Sequence, residues 1–246
     1  MTIRQRSRIL GIAGWGFLGV GLLVALFLFY QLFVTDLINS RTQAAASDEL
    51  AIVLADRRDD LPEPTTTTTA PPTTTTPSTT TPSSTTSTSQ VVEVPDLFIE
   101  SEAPTGEPFA RLMIDRIAVD AVVFEGVDRT TLKLGPGHMP GTPLPGQPGN
   151  AVISGHRTTY GRPFFDLDQL VAGDEIEVET ALGVSTYAVR EILIVAPTDV
   201  WVADNKDGAW LTLTTCHPRF SAAERLIIQA ELVDGPNLEY VEAVAA

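Results

Sequence analysis

The pattern of this chain is that of a mainly β domain closed into a barrel with short helices, carried behind one N-terminal membrane helix and a disordered stalk. Three features carry that reading. Residues 9–30 contain no charge, residues 62–89 are almost wholly Thr, Ser and Pro, and beyond Pro104 short β-prone runs alternate with Gly, Pro and Asp turns.

Taken in order, residues 1–8 form a cytoplasmic N-terminus. The uncharged run that follows, assigned to 9–34, is long enough as a helix to cross about 30 Å of hydrocarbon. Arg4, Arg6 and Arg8 precede it and Asp36 follows it, so the basic flank stays in the cytoplasm and the rest is exported. The run exceeds the h-region of a cleaved signal peptide, and Ala44, Ala45 and Ala46 lie well beyond its end, which favours a retained anchor. Residues 35–61 read as a juxtamembrane segment that prolongs this helix before fraying, with Leu50, Val53 and Leu54 at helical spacing. Residues 62–89 hold too little apolar surface to offset the entropy of ordering and are expected to be a stalk, reaching several tens of Å at about 3.1 Å per residue.

The folded domain is placed at 104–235, with strands expected at 109–114, 119–124, 150–154, 175–180, 185–195, 209–215 and 226–233. Helical signals are confined to a turn or two at 129–132 and 166–170. A segment dense in Gly and Pro, 135–149, forces turns. The remaining 236–246 is a C-terminal tail, neither apolar nor basic enough to act as a sorting tail. Asp and Glu outnumber Lys and Arg 31 to 16, a net charge of −15, which argues against nucleic acid as a partner because a phosphate binder needs a basic face.

Cys216 is the only cysteine, so it has no internal disulfide partner, and on an exported domain it is either buried and inert or kept free for chemistry. It ends the alternating run Trp210-Leu211-Thr212-Leu213-Thr214-Thr215, and a strand end is a rigid place from which to present a nucleophile. A thiolate nucleophile needs a proton partner and a cation. His156 follows the apolar run Ala151-Val152-Ile153-Ser154 through one glycine. His138 lies in the Pro/Gly segment, where it lines a groove or satisfies local hydrogen bonds. His217 adjoins Cys216, and neighbours on an extended chain point to opposite sides. One Cys and three scattered His lack any close ligand pair, so no metal is expected; no cofactor is expected either. The run Asp174, Glu175, Glu177, Glu179 reads as the solvated face of a strand.

Thr212-Leu213-Thr214-Thr215-Cys216 resembles the signature Thr-Leu-x-Thr-Cys of the sortase family. Its flank Cys216-His217-Pro218-Arg219-Phe220, followed by Arg225-Leu226-Ile227, is similar to the class E sortases of actinobacteria. Asn150-Ala151-Val152-Ile153-Ser154-Gly155-His156-Arg157-Thr158 resembles the family's histidine segment, about sixty residues before the cysteine. The resemblance covers residues 104 to about 233 and implies an eight-stranded barrel with Cys216 as nucleophile, His156 as general acid and Arg225 as peptide and oxyanion binder. Arg219, in a turn, is the rival cation and reads as loop-fixing. Thr214, Thr215 and His138 are expected to shape the substrate groove.

The implied activity is transpeptidation: cleavage of a Leu-Ala-x-Thr-Gly or Leu-Pro-x-Thr-Gly sorting signal on secreted proteins between Thr and Gly, then transfer to a peptidoglycan precursor amine at the cell wall. The implied location is the outer face of a single-pass anchor. Two other readings share these residues: a cysteine protease or hydrolase using the same pair with water, and a non-enzymatic stalked surface module. A lid over the groove built on Asp96-Leu97-Phe98 is weighed against simple packing of Phe98 on the barrel, and packing is preferred because Leu97 stands where the lid pattern of pilus-building relatives has proline.

Overall fold

The computed structural model describes residues 3–30, 35–61 and 95–245. Eight strands follow one another in the chain: β1 (Pro108–Ile114), β2 (Val119–Glu125), β3 (Gly137–His138), β4 (Gly149–Ser154), β5 (Glu175–Thr180), β6 (Gly183–Val195), β7 (Ala209–His217) and β8 (Glu224–Asp234). They close into a barrel in the order β1-β2-β3-β4-β7-β8-β6-β5. Closure removes the exposed strand edges that an open sheet would have to protect. All seven expected strands are present, β5 with the expected bounds and the others longer by one to three residues. The eighth, β3, lies inside the Pro/Gly segment, where only two residues bridge β2 and β4.

Most pairs are antiparallel, but β4 runs parallel to β7, from Gly149 beside Ala209 to Ser154 beside Thr214. Parallel neighbours need a long crossover. Here it contains β5 and β6, so residues far apart in sequence finish at the same end of the barrel. Alternation along β7 sends Leu211 and Leu213 into the core with Ile153, Ile228 and Val189. Trp210, Thr212, Thr214 and Cys216 take the other face. Phe164, Leu167 and Leu170, from the connection between β4 and β5, are buried in the same core and anchor that loop.

The chain also forms three helices, α1 (Ile3–Phe29), α2 (Thr35–Asp59) and α3 (Leu238–Ala245), of which α2 and α3 pack on the barrel. The side chains of α1 that are described, residues 14–27, are all exposed; among the described residues no helix is long and apolar enough to cross a membrane. The segment expected to fray after the anchor is instead a continuous helix lying on the barrel. Ala46, Leu50 and Leu54 of α2 pack on Val122, Phe124 and Ala181. The spacing of those three apolar residues marks one helical face, and full burial of each leucine stabilises by about 1.5–3 kcal/mol. The expected stalk, 62–89, lies outside the described residues. The tail is likewise partly helical, with Leu238 and Val241 of α3 against the core.

Phe98 is held by Asn237, whose side chain accepts from its N–H at 2.8 Å and donates to its carbonyl at 2.9 Å. Asn237 follows the far end of β8, nine residues along from Arg225, or roughly 30 Å. The Asp96-Leu97-Phe98 segment is thus packed at the end of the barrel opposite Cys216 and covers no groove there. Tyr187 is wholly buried, and burial raises its phenol above the ordinary range; its hydroxyl accepts the Gly146 N–H at 2.6 Å and so fixes the Pro/Gly segment. Tyr187→Phe leaves that N–H unpaired and is expected to lower unfolding free energy by about 1–3 kcal/mol, measured by urea denaturation; an unchanged midpoint means the bond carries no stability.

Candidate active site

The site is made by strand ends. Ser154 lies beside Thr214 in the parallel β4–β7 pair, and the ladder continues as Gly155 N–H donates to Thr214 C=O at 3.1 Å. Thr215 points to the inner side, buried, and its hydroxyl donates to the Gly155 carbonyl at 2.7 Å. Two residues past Ser154, His156 therefore leaves β4 at the level where Cys216 leaves β7. On the other flank, Cys216 pairs with Arg225 of β8, and Arg225 pairs with Val195 of β6. Directly opposed residues share a face, so thiol and guanidinium stem from the same side of the wall.

Cys216 is half-buried and free. His156 is half-buried, and its Nε2 is enclosed without a hydrogen-bond partner among the described residues. Burial first, and then the Lys133 ammonium, hold its pKa below the ordinary imidazole value. Tyr160 tilts against the imidazole at 5.0 Å between ring centroids, and the Lys133 ammonium lies 5.8 Å from the Tyr160 ring. Arg225 donates through Nη1 to the carbonyls of Ala222 and Glu224 at 3.1 and 2.9 Å, which uses one of the three nitrogens of its fork.

A second cation supports the pair from behind. The Arg157 side chain is 1% exposed and forms an ion pair with Asp168 at 2.8 Å. Its Nη1 donates to the Cys216 carbonyl at 3.3 Å and to His217 Nδ1 at 2.9 Å. A guanidinium can only donate, so His217 Nδ1 is an acceptor and its proton sits on Nε2. His217 is thus occupied on the side away from the thiol, as strand alternation requires. Arg219 pairs with Asp166 at 2.9 Å and Asp168 at 2.8 Å and lies over the Phe165 ring at 4.4 Å, which makes it a clamp between two loops.

The structure brings Cys216, His156, Arg225 and Thr214 to one end of the barrel and keeps two of the expected groove residues away. Thr215 faces inward, where it positions Gly155. His138 is a wall residue of β3, fully buried against Phe109, not a lining of the groove. Its Nδ1 meets Glu125 Oε2 at 2.8 Å and its Nε2 meets Pro143 O at 3.0 Å, so both nitrogens are spent on holding the Pro/Gly segment. The pattern of that segment reads as loop because five prolines mask a two-residue bridge. Lys133, Tyr160 and the Arg157 anchor were not singled out: each acts through a contact between distant loops, which no local spacing encodes. Among the described residues no group of His, Cys, Asp and Glu could hold a metal ion.

Two backbone features shape the histidine loop. A Cβ on Gly155 would meet Phe164 Cδ2 at 2.5 Å, and Phe164 is locked in the core, so the exit from β4 has room only for glycine. Further on, Tyr160, Gly161 and Arg162 have φ of 51°, 75° and 51°, a left-handed apex that costs of order 1–3 kcal/mol at each non-glycine residue and persists only where its surroundings hold it.

A thiol, an imidazole and a guanidinium gathered at one end of a closed barrel define a cysteine-centred site suited to acyl chemistry. Residues 112–233 match the family model described as the sortase domain. Sortase SrtE1 of Streptomyces coelicolor is 33% identical over 145 residues, 52% of this chain and 41% of that protein, so the chain spans well under two thirds of that relative. The structure of sortase E from Streptomyces avermitilis is 36% identical with a TM-score of 0.50, covering 55% of this chain and 93% of that one. Sortase C of Clostridium perfringens, solved with the C-terminal cell wall sorting motif, is 28% identical with a TM-score of 0.51 over 53% and 72% of the two chains. The chain belongs to the sortase family.

Two outcomes follow from this geometry. Because the Lys133 charge disfavours imidazolium, Lys133→Gln is expected to move the His156 titration midpoint to higher pH, followed by the ring C–H resonances in NMR; a midpoint that stays or falls removes Lys133 from the site's electrostatics. Gly155→Ala is expected to lower kcat at least tenfold, because Phe164 cannot yield and the histidine must shift; wild-type kcat shows that the loop adapts.

Proposed function

We propose that this protein is a membrane-anchored cysteine transpeptidase that cleaves a Leu-Ala-x-Thr-Gly or Leu-Pro-x-Thr-Gly type sorting signal between Thr and Gly and joins the new carboxyl end to a peptidoglycan amine. The observation that carries the reading is the register that sets Cys216 opposite Arg225 and beside the end of the strand delivering His156. The uncharged run at 9–30 with its arginine flank supports a span with the barrel outside. The Clostridium perfringens sortase C solved with a sorting motif supports the substrate class, and the likeness to SrtE1 supports class E.

In the first half-reaction the Cys216 proton passes to His156 and the thiolate attacks the threonine carbonyl carbon, forming the C–S bond. The electron pair moved onto oxygen is met by the Arg225 guanidinium, whose fixed charge stabilises it without reorganisation. Collapse breaks the C–N bond, and the leaving glycine nitrogen takes the proton from His156 imidazolium. A thioester remains on Cys216. In the second half His156 takes a proton from the incoming amine, which attacks the thioester carbon and expels the thiolate. A histidine held below its ordinary pKa is mostly neutral near neutral pH, which makes it a ready acceptor in both deprotonations and a strong acid once charged. Its enclosed Nε2, without a hydrogen-bond partner among the described residues, suits this traffic, since none of their bonds must break first.

Thr214, half-buried two residues before Cys216 on the same face, contributes groove wall. Hydrolysis by water shares the thioester, and the competition between amine and water decides between the two activities. A labelled sorting peptide incubated with a peptidoglycan-type amine is expected to give ligated product in excess over free acid; acid alone at saturating amine overturns transfer. Cys216→Ala and His156→Ala are each expected to lose more than 99% of turnover while remaining folded by circular dichroism, whereas His217→Ala keeps most of it; equal loss in both histidine variants would assign the wrong ring.

A further inference from the structure

We infer that α2 is a fixed part of the barrel, docked with its first turns against the histidine edge of the site, and that the length of residues 62–94 does not set the distance between membrane and site. At one end of α2, Asn39 Nδ2 donates to the carbonyls of Lys133 and Leu134 at 3.0 and 3.1 Å. One turn on, Gln43 donates to Leu134 C=O and accepts the Val122 N–H, both at 2.8 Å. Asn39 is buried and fills the space against Gly161, where a Cβ would overlap its side-chain oxygen. The left-handed apex of the histidine loop therefore rests on α2, as does the turn that carries Lys133.

The other end of α2 reaches the opposite end of the barrel. Arg57 pairs with the buried Glu100 carboxylate at 2.7 Å and also donates to the Ser101 carbonyl; Arg58 donates to Ala181 C=O at 3.2 Å, at the turn between β5 and β6. Asn39 and Arg57 are roughly 27 Å apart along the helix axis, about the length of the barrel. Residues 62–94 thus join two points, the end of α2 and the Glu100 segment, that already touch. A spacer of that many residues would reach roughly 100 Å if extended, but here that reach is not in line between anchor and barrel. Closing such a connection adds only a logarithmic entropic term, so its length is free to vary.

The consequence for position rests on the proposed membrane span. Between the end of α1 at Phe29 and Thr35 there are only a few peptide links, at most roughly 22 Å of chain. The histidine edge of the site is the part of the barrel nearest that link.

The test uses the full chain in lipid nanodiscs, with the single cysteine, Cys216, labelled by a donor fluorophore and an acceptor on the lipid headgroups. Energy transfer is expected to be the same when residues 65–89 are removed or duplicated; transfer that falls as the segment lengthens overturns the inference. In a second arm a protease site replaces residues 75–80 and the cut protein is run in detergent by size exclusion. The fragment carrying α2 is expected to co-elute with the barrel and to separate from it in Leu50→Glu/Leu54→Glu; separation in the parent protein overturns docking. The cut experiment needs neither a bilayer nor turnover, so its failure is distinct from failure of the membrane or transpeptidase readings.

Discussion

Everything at the active end depends on the parallel pairing of β4 with β7. A side-chain period of two means that a slip of one residue would turn Cys216 to the inner side of the strand and His217 to the face the thiol now occupies. The register is held against that slip by the alternation of Leu211, Leu213 and Ile153 toward the barrel interior, and by the Thr215 hydroxyl on the Gly155 carbonyl. The second contact matters most for chemistry. It links the residue before Cys216 to the residue before His156, so the two reactive groups are located by one hydrogen bond and one ladder and not by two independent loops.

Charge is arranged in two shells. A buried guanidinium is tolerable only when paired. Arg157 meets that requirement through Asp168, and its other nitrogens donate to the carbonyls of Phe165 and Cys216 and to His217 Nδ1. Arg219 takes the same aspartate from the solvent side. The outer cation, Lys133, is exposed and its influence on His156 is long-range. Arg225 stands between these cases, half-exposed and bonded to its own turn, with donors in reserve.

The sequence announces what is periodic or unique. Seven strands, the lone Cys216, and His156 after an apolar run were legible because alternation and strand ends have local signatures. The two-residue β3 was not, since prolines around it carry a loop signal. For His138 the Pro/Gly run left groove lining and local hydrogen bonding both open, and only the closure of the barrel encloses the ring and gives it its hydrogen bonds. The docking of α2 was hidden because Ala46, Leu50 and Leu54 form a modest stripe on a polar helix, and what they meet, Val122, Phe124 and Ala181, is more than sixty residues away in the chain. Lys133 and Arg157 were invisible as contributors because their partners come from other loops.

The crossover between β4 and β7 has one more implication. About sixty residues separate the imidazole from the thiol, and β5 and β6 must be laid down before β7 can take its place beside β4; Arg225 comes later still, on the last strand. Contacts of such separation form late, because the entropy of closing the intervening chain is spent before they are gained. A chain emerging with its N-terminus first therefore carries its histidine, and then its thiol, through a long interval in which they are strangers. The full set of thiol, imidazole and guanidinium therefore exists only once the last strand has closed the barrel.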